Sequence, residues 1–176
     1  MKKLAINLSL FKIGWLASVF TAAAAIPAAG AAVVATVVLV HLFLSKNAQA
    51  EARVLLVAAL IGLGWESLLV YFGVVEYVAG SPVPGIAPYW IVGMWVLFAT
   101  TLNIGMRWLR NGTAIAVVAG AIGGPLSFLA GAKAGAVSFP DTTISLIVIG
   151  LGWAFLLPLL VRFAARSDSS EPETTS

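Results

Sequence analysis

Cysteine is absent from the 176-residue chain. That excludes disulfides, thiolate metal sites and cysteine nucleophiles. Histidine occurs once, at His41, which leaves no partner for a catalytic triad or a His-Glu-x-x-His zinc site. Charged residues make up only 10% of the chain, and the net charge is +3. The basic residues stand between apolar runs rather than in one patch, which excludes nucleic acid as a partner. There is no GxSxG, no P-loop and no cluster of metal ligands, and no carboxylate pair stands in one span at mid-membrane depth. An enzyme is therefore disfavoured, and no cofactor or metal is expected.

What the chain does have is apolar length. It is 61% hydrophobic, more than a soluble domain of this size can cover with so few charges. Apolar runs lie at about 4–25, 28–44, 54–75, 88–106, 114–132 and 143–163. Each has the ~17–25 residues needed to cross ~30 Å of hydrocarbon. The expectation is one all-α integral-membrane domain over 1–166, a bundle of six transmembrane helices in a lipid bilayer. Residues 167–176 are wholly polar and read as a disordered cytoplasmic tail.

Nine basic residues fall in segments that an inside N-terminus places on one side: Lys2, Lys3, Lys12, Lys46, Arg53, Arg107, Arg110, Arg162 and Arg166. Only Lys133 falls on the other. By the positive-inside rule both termini are cytoplasmic, as in a multi-pass protein of a bacterial inner membrane. Lys2-Lys3, an apolar stretch and Ala22–Ala25 also resemble a signal peptide, whose removal would leave five spans. Lys12 interrupts that stretch, and the second span follows at once, as in a helical hairpin. Asn111-Gly112 reads as a turn, with Thr113 as a helix cap, and Asp141 as the N-cap of the last helix.

Ile61-Gly62-Leu63-Gly64-Trp65 recurs as Ile149-Gly150-Leu151-Gly152-Trp153, an offset of 88 residues. Three spans per half would give the halves opposite orientation, a 3+3 inverted repeat. Chance similarity in a glycine-rich chain is the other explanation.

Glu66 stands in the middle of the third run, where a carboxyl costs roughly 2.5 kcal/mol or more on insertion scales. Gly62 and Gly73 share its face, and small residues mark helix contacts in lipid. Glu66 should therefore face the bundle and be neutral. Counting residues up each span puts Glu66 about 18 Å, Gly124 about 15 Å and Thr100 about 12 Å from the inner face. Glu66, its neighbour Ser67, Thr100, Asn103, Gly124 and Pro125 thus form the candidate ligand-binding or proton-linked pocket. Pro125 frees the carbonyl of Ala121 as an acceptor, and a protonated Glu66 could donate to that carbonyl or to Thr100. His41 and Arg107 at the inner end, and Lys133, are secondary candidates. Lys133 lies about 28 Å up by the same ladder, so it is expected at the outer rim, nearer Glu76 and Asp141 than Glu66. Arg107 and Arg110 are expected as interface anchors.

Phe11 with Gly14-Trp15, Glu66-Ser67, Ala99-Thr100-Thr101-Leu102-Asn103, Gly123-Gly124-Pro125-Leu126 and Gly135-Ala136-Val137-Ser138-Phe139-Pro140 occur together. This set resembles an uncharacterised family of small bacterial inner-membrane proteins, classed as a domain of unknown function, from about Asn7 to Val161. That family more often carries aspartate at the position of Glu66, one methylene shorter. Its members are often encoded near lipid-modifying proteins, so the resemblance implies a lipid-related role but no mechanism.

Taken together, the sequence points to a small carrier or lipid-handling protein with a polar pocket around Glu66, its substrate or lipid ligand unspecified. The alternative is a non-catalytic scaffold or accessory subunit, working with a membrane partner protein or as a homodimer.

Overall fold

Two short strands, β1 (Glu76–Tyr77) and β2 (Val137–Ser138), pair antiparallel and clip one end of a helical bundle. The computed structural model describes residues 2–168. Its helices are α1 (Lys2–Ala23), α2 (Pro27–Leu44), α3 (Ala48–Tyr71), α4 (Tyr89–Ala99), α5 (Thr113–Lys133) and α6 (Thr142–Ser167). All but α4 are long and apolar enough to cross a membrane. Leu39, Phe43, Tyr71, Leu151 and Phe155 are each at least 67% exposed, a surface suited to acyl chains rather than water. The chain is a multi-pass membrane protein with an all-helical bundle in a lipid bilayer.

Local chemistry sets the helix ends. Ala25 adopts a left-handed conformation (φ 58°), and Ile26 N–H turns back to the Thr21 carbonyl at 2.8 Å before Pro27 starts α2. The third helix begins six residues before its apolar run, because the Asn47 side chain caps it by accepting from Ala50 N–H at 3.0 Å. It stops before Gly73, whose φ of +64° suits glycine and turns the chain towards β1. Asp141 caps α6 as the sequence suggests, accepting from Ile144 N–H at 3.0 Å. Thr113 does not cap α5: the cap position is Gly112, and the Thr113 hydroxyl accepts from Arg162 at 3.0 Å instead.

The fourth span differs most from expectation. It is not a helix over 88–106; α4 ends at Ala99, and turns lead to a 3-10 segment over Arg107–Asn111. The Thr100 and Thr101 hydroxyls donate to the carbonyls of Leu97 and Phe98, at 2.7 and 2.6 Å. The main chain tightens with them: Leu102 N–H reaches Ala99 O, and Met106 N–H reaches back to Thr101 O at 2.8 Å. Asn7 of α1 then donates its amide to the Thr100 carbonyl at 3.0 Å. A broken helix survives in hydrocarbon only where such neighbours satisfy its backbone.

The helices pack as close pairs, α1 on α2, α5 on α6 and α3 on α4, with α4 also against α1 and α2, and α3 against α6. Small residues allow the approach. A side chain at Gly30 would strike Thr21, and one at Gly120 would strike the main-chain carbonyl of Trp153. The two similar pentapeptides meet where α3 crosses α6, with the Trp65 ring lying in the space left by Gly152. The packing does not mirror an inverted repeat, since α1 lies along α2 but its counterpart α4 does not lie along α5.

At the end carrying both termini, Ser167 still belongs to α6 and Asp168 bonds to Arg110. The expected tail therefore begins later than 167, and residues 169–176 lie outside the described residues.

Candidate functional site

Glu66 is fully buried and projects from α3 one turn after Gly62. The missing side chain at Gly62 leaves the space into which the Trp95 ring of α4 packs. From there the Trp95 indole N–H donates to Glu66 Oε1 at 2.8 Å. The other oxygen, Oε2, accepts from the Tyr77 hydroxyl at 2.6 Å. Tyr77 reaches it because Gly73 turns the chain and because β1 is held by β2. Its ring also meets Trp90 edge-on, with centroids 5.5 Å apart. Burial raises the Tyr77 phenol well above its usual pKa, and the neighbouring carboxyl adds to the rise, so the hydroxyl keeps its proton. A tyrosine hydroxyl both donates and accepts, so this partner suits either form of Glu66. The Trp95 ring stacks on Trp153 at 4.7 Å, and Phe98 meets Trp153 edge-on. A carboxyl with both oxygens occupied and aromatic rings around it is a sealed cross-link of α3, α4 and the β1 loop.

The expected single pocket is therefore distributed over several places. The Thr100 hydroxyl is used at the helix break, bonded to Leu97 O. Ser67 accepts from the Ala87 main chain at 3.0 Å and fixes the approach to α4. Gly124 packs against the Trp153 ring, and Pro125 lies with the Ala121 carbonyl against Gly150. That carbonyl faces α6 rather than Glu66. Residue depth alone brought these groups together on paper. The rotation of each helix about its axis separates them.

Asn103 takes part in a second polar centre, at the end of the bundle carrying the termini. It donates to Glu51 Oε1 at 2.7 Å and accepts from Arg110. His41 Nε2 lies 3.0 Å from Glu51 Oε2. Arg110 donates to Asp168 at 3.0 Å, and Arg107, nearly half exposed, stands 3.8 Å from the same oxygen. His41, Glu51, Asn103, Arg110 and Asp168 thus form one chain of contacts joining α2, α3, the unwound segment and the end of α6. Arg110 is an interior tie here rather than a simple surface anchor, whereas Arg107 remains exposed. Lys133 is exposed at the strand end and makes no ion pair among the described residues. Glu76 accepts from Ser138 at 3.3 Å, and Asp141 caps α6.

The break in α4 also opens a space. Asn7 holds α1 to the break, α5 leans on α6, and a cleft of about 460 Å³ remains between α1 and α5. Its walls include Phe11, Trp15, Phe98, Trp108, Ser127 and Trp153. At the mouth, Trp108 and Leu126 are more than half exposed, so the cleft faces the surrounding lipid. Past Trp108, Ala119 and Gly123 it continues into a shallower apolar trough along α5 that begins at Ala114. A side chain added at Gly123 would meet nothing within 4 Å. Lys12 of α1 lies on the cleft wall.

Sequence reasoning missed Tyr77, Trp95, Glu51 and Lys12 as members of these centres. Lys12 carried the signal that singled out Glu66, an ionisable residue well inside an apolar run.

Residues 4–159 match the model of a family described as "Protein of unknown function (DUF2878)", and the chain belongs to that family. No curated protein and no solved structure matches the chain.

Proposed function

We propose that this member of a family of unknown function is a lipid-handling protein. It takes an acyl chain of a membrane phospholipid into the cleft between α1 and α5, and Glu66 holds the bundle together instead of relaying protons. The cleft carries the reading. Its volume of about 460 Å³ lies within the ~300–1,000 Å³ range of ligand sites. From Ala114 to Ser127 the trough and cleft run about 20 Å along α5, more than one leaflet of a ~30 Å core. The walls are apolar and aromatic, and the opening is lateral, so a lipid can enter from the leaflet without crossing water.

The bacterial inner membrane, with both termini in the cytoplasm, completes the reading. It is supported by nine of ten Lys and Arg residues on the terminal side. A scaffold or accessory role is the second reading, favoured by the sealed geometry of Glu66. A proton-coupled carrier working through Glu66 has less support, because both oxygens already have donors.

A phospholipid bearing a photoactivatable group along its acyl chain, reconstituted with the protein and mapped by peptide mass spectrometry, separates the two. Lipid handling places cross-links on residues 119–127 and Trp153. A scaffold gives even labelling over lipid-facing residues such as Leu39, Phe43, Leu151 and Phe155.

A further inference from the structure

We infer that the lipid in the cleft carries an anionic headgroup, and that Lys12 is the residue that recognises it. This rests on the cleft reading above and assigns the ligand's polar end. Lys12, an exposed residue, lies on the wall of a cleft that is otherwise apolar and aromatic apart from Ser127. It stands about 15 Å along α1 from the first helical residue, deep for a fixed cation. Among the described residues it forms no ion pair and no hydrogen bond.

The acidic side chains that could neutralise it are engaged elsewhere. Glu51 and Asp168 belong to the centre with His41, Asn103 and Arg110. Glu66 is sealed by Tyr77 and Trp95. Glu76 and Asp141 are at the strand end, bonded to Ser138 and Ile144. Glu171 and Glu173 lie outside the described residues. A lysine stem can lie along apolar surface while its ammonium reaches towards the headgroups. A phospholipid whose chain runs up the cleft from the terminal side brings its phosphate to that ammonium. A net anionic headgroup leaves a charge for Lys12 to balance, whereas a zwitterionic one carries its own cation.

The test uses the full chain in vesicles of equimolar phosphatidylglycerol, phosphatidylethanolamine and phosphatidylcholine. The protein is released into mild detergent, and its retained lipids are identified by native mass spectrometry. We expect retained phospholipid enriched in phosphatidylglycerol. Lys12→Gln should lower that enrichment about fivefold, the effect of one cation near the membrane surface. Lys12→Arg should keep it, as should Lys133→Gln at the far end. Gly123→Leu, which enters open space, should expel the retained lipid whatever its headgroup. If Gly123→Leu leaves lipid retention unchanged, the cleft reading itself fails. If Gly123→Leu expels the lipid but headgroups are retained equally, or Lys12→Gln does not alter the preference, the cleft stands and the assignment to Lys12 is overturned.

Discussion

Glu66 and Trp95, 29 residues apart, are joined by an indole N–H to carboxyl bond of 2.8 Å, while the same indole stacks on Trp153 at 4.7 Å. One side chain thus ties α3 to α4 and packs α4 on α6. Glu66→Ala leaves two buried donors, from Trp95 and Tyr77, without an acceptor. The expected loss is about 2–5 kcal/mol. Glu66→Gln keeps a carbonyl for one donor and an amide that the Tyr77 hydroxyl can accept from. It should stay much closer to the parent. Thermal unfolding in detergent checks the order, and Tyr77→Phe should fall between them.

Glycines 120 and 123 stand on the same helix in different surroundings. Gly120→Ala drives a methyl into the Trp153 carbonyl and should cost about 1–3 kcal/mol. Gly123→Ala meets nothing within 4 Å and should be neutral or slightly stabilising, because alanine favours helix. Comparing the two unfolding midpoints tests the α5–α6 contact directly.

Asn103 bridges Glu51 and Arg110. Asn103→Leu leaves a carboxylate and a guanidinium each short of a partner, so a loss of about 1–3 kcal/mol is expected. Hydrogen exchange should rise over residues 100–111, the unwound and 3-10 segment that this bridge ties to α3. Unchanged exchange there would contradict the role given to Asn103.

The natural absence of cysteine makes orientation easy to read. Single cysteines at Lys46 and Ser81, both exposed and on opposite ends, should differ in labelling by an impermeant maleimide on intact cells. Ser81→Cys should react at once, and Lys46→Cys only after permeabilisation.

The membrane class and most helices were legible because hydropathy and span length report on solvent alone. Glu66 was legible as important for the same reason. Its partners were not. Tyr77 arrives through the turn at Gly73, and Trp95 through the rotation of α4, neither of which residue counting along a span can fix. The break after Ala99 was hidden inside a continuous apolar run. Its chemical signal was present in Thr100, Thr101, Asn103 and Gly105, residues that compete with or weaken helical bonding. Asn103 was recognised as polar and assigned to the pocket around Glu66, but the unwound segment delivers it to Glu51 and Arg110 instead. Lys12 was counted as an orienting charge, and its place on a cleft wall depended on a gap between α1 and α5 that only packing creates.

The proposed function divides the labour, with Glu66 fastening the bundle and the α1–α5 cleft taking the lipid. The most direct test is carboxyl-directed carbodiimide labelling of the protein in native-like lipid, followed across pH by mass spectrometry. We expect exposed Glu76 to react and Glu66 to stay unlabelled at every pH at which the fold persists. Labelling of Glu66 that titrates while the protein remains folded would show a reachable carboxyl. It would contradict the sealed cross-link and return the proton-linked carrier to first place.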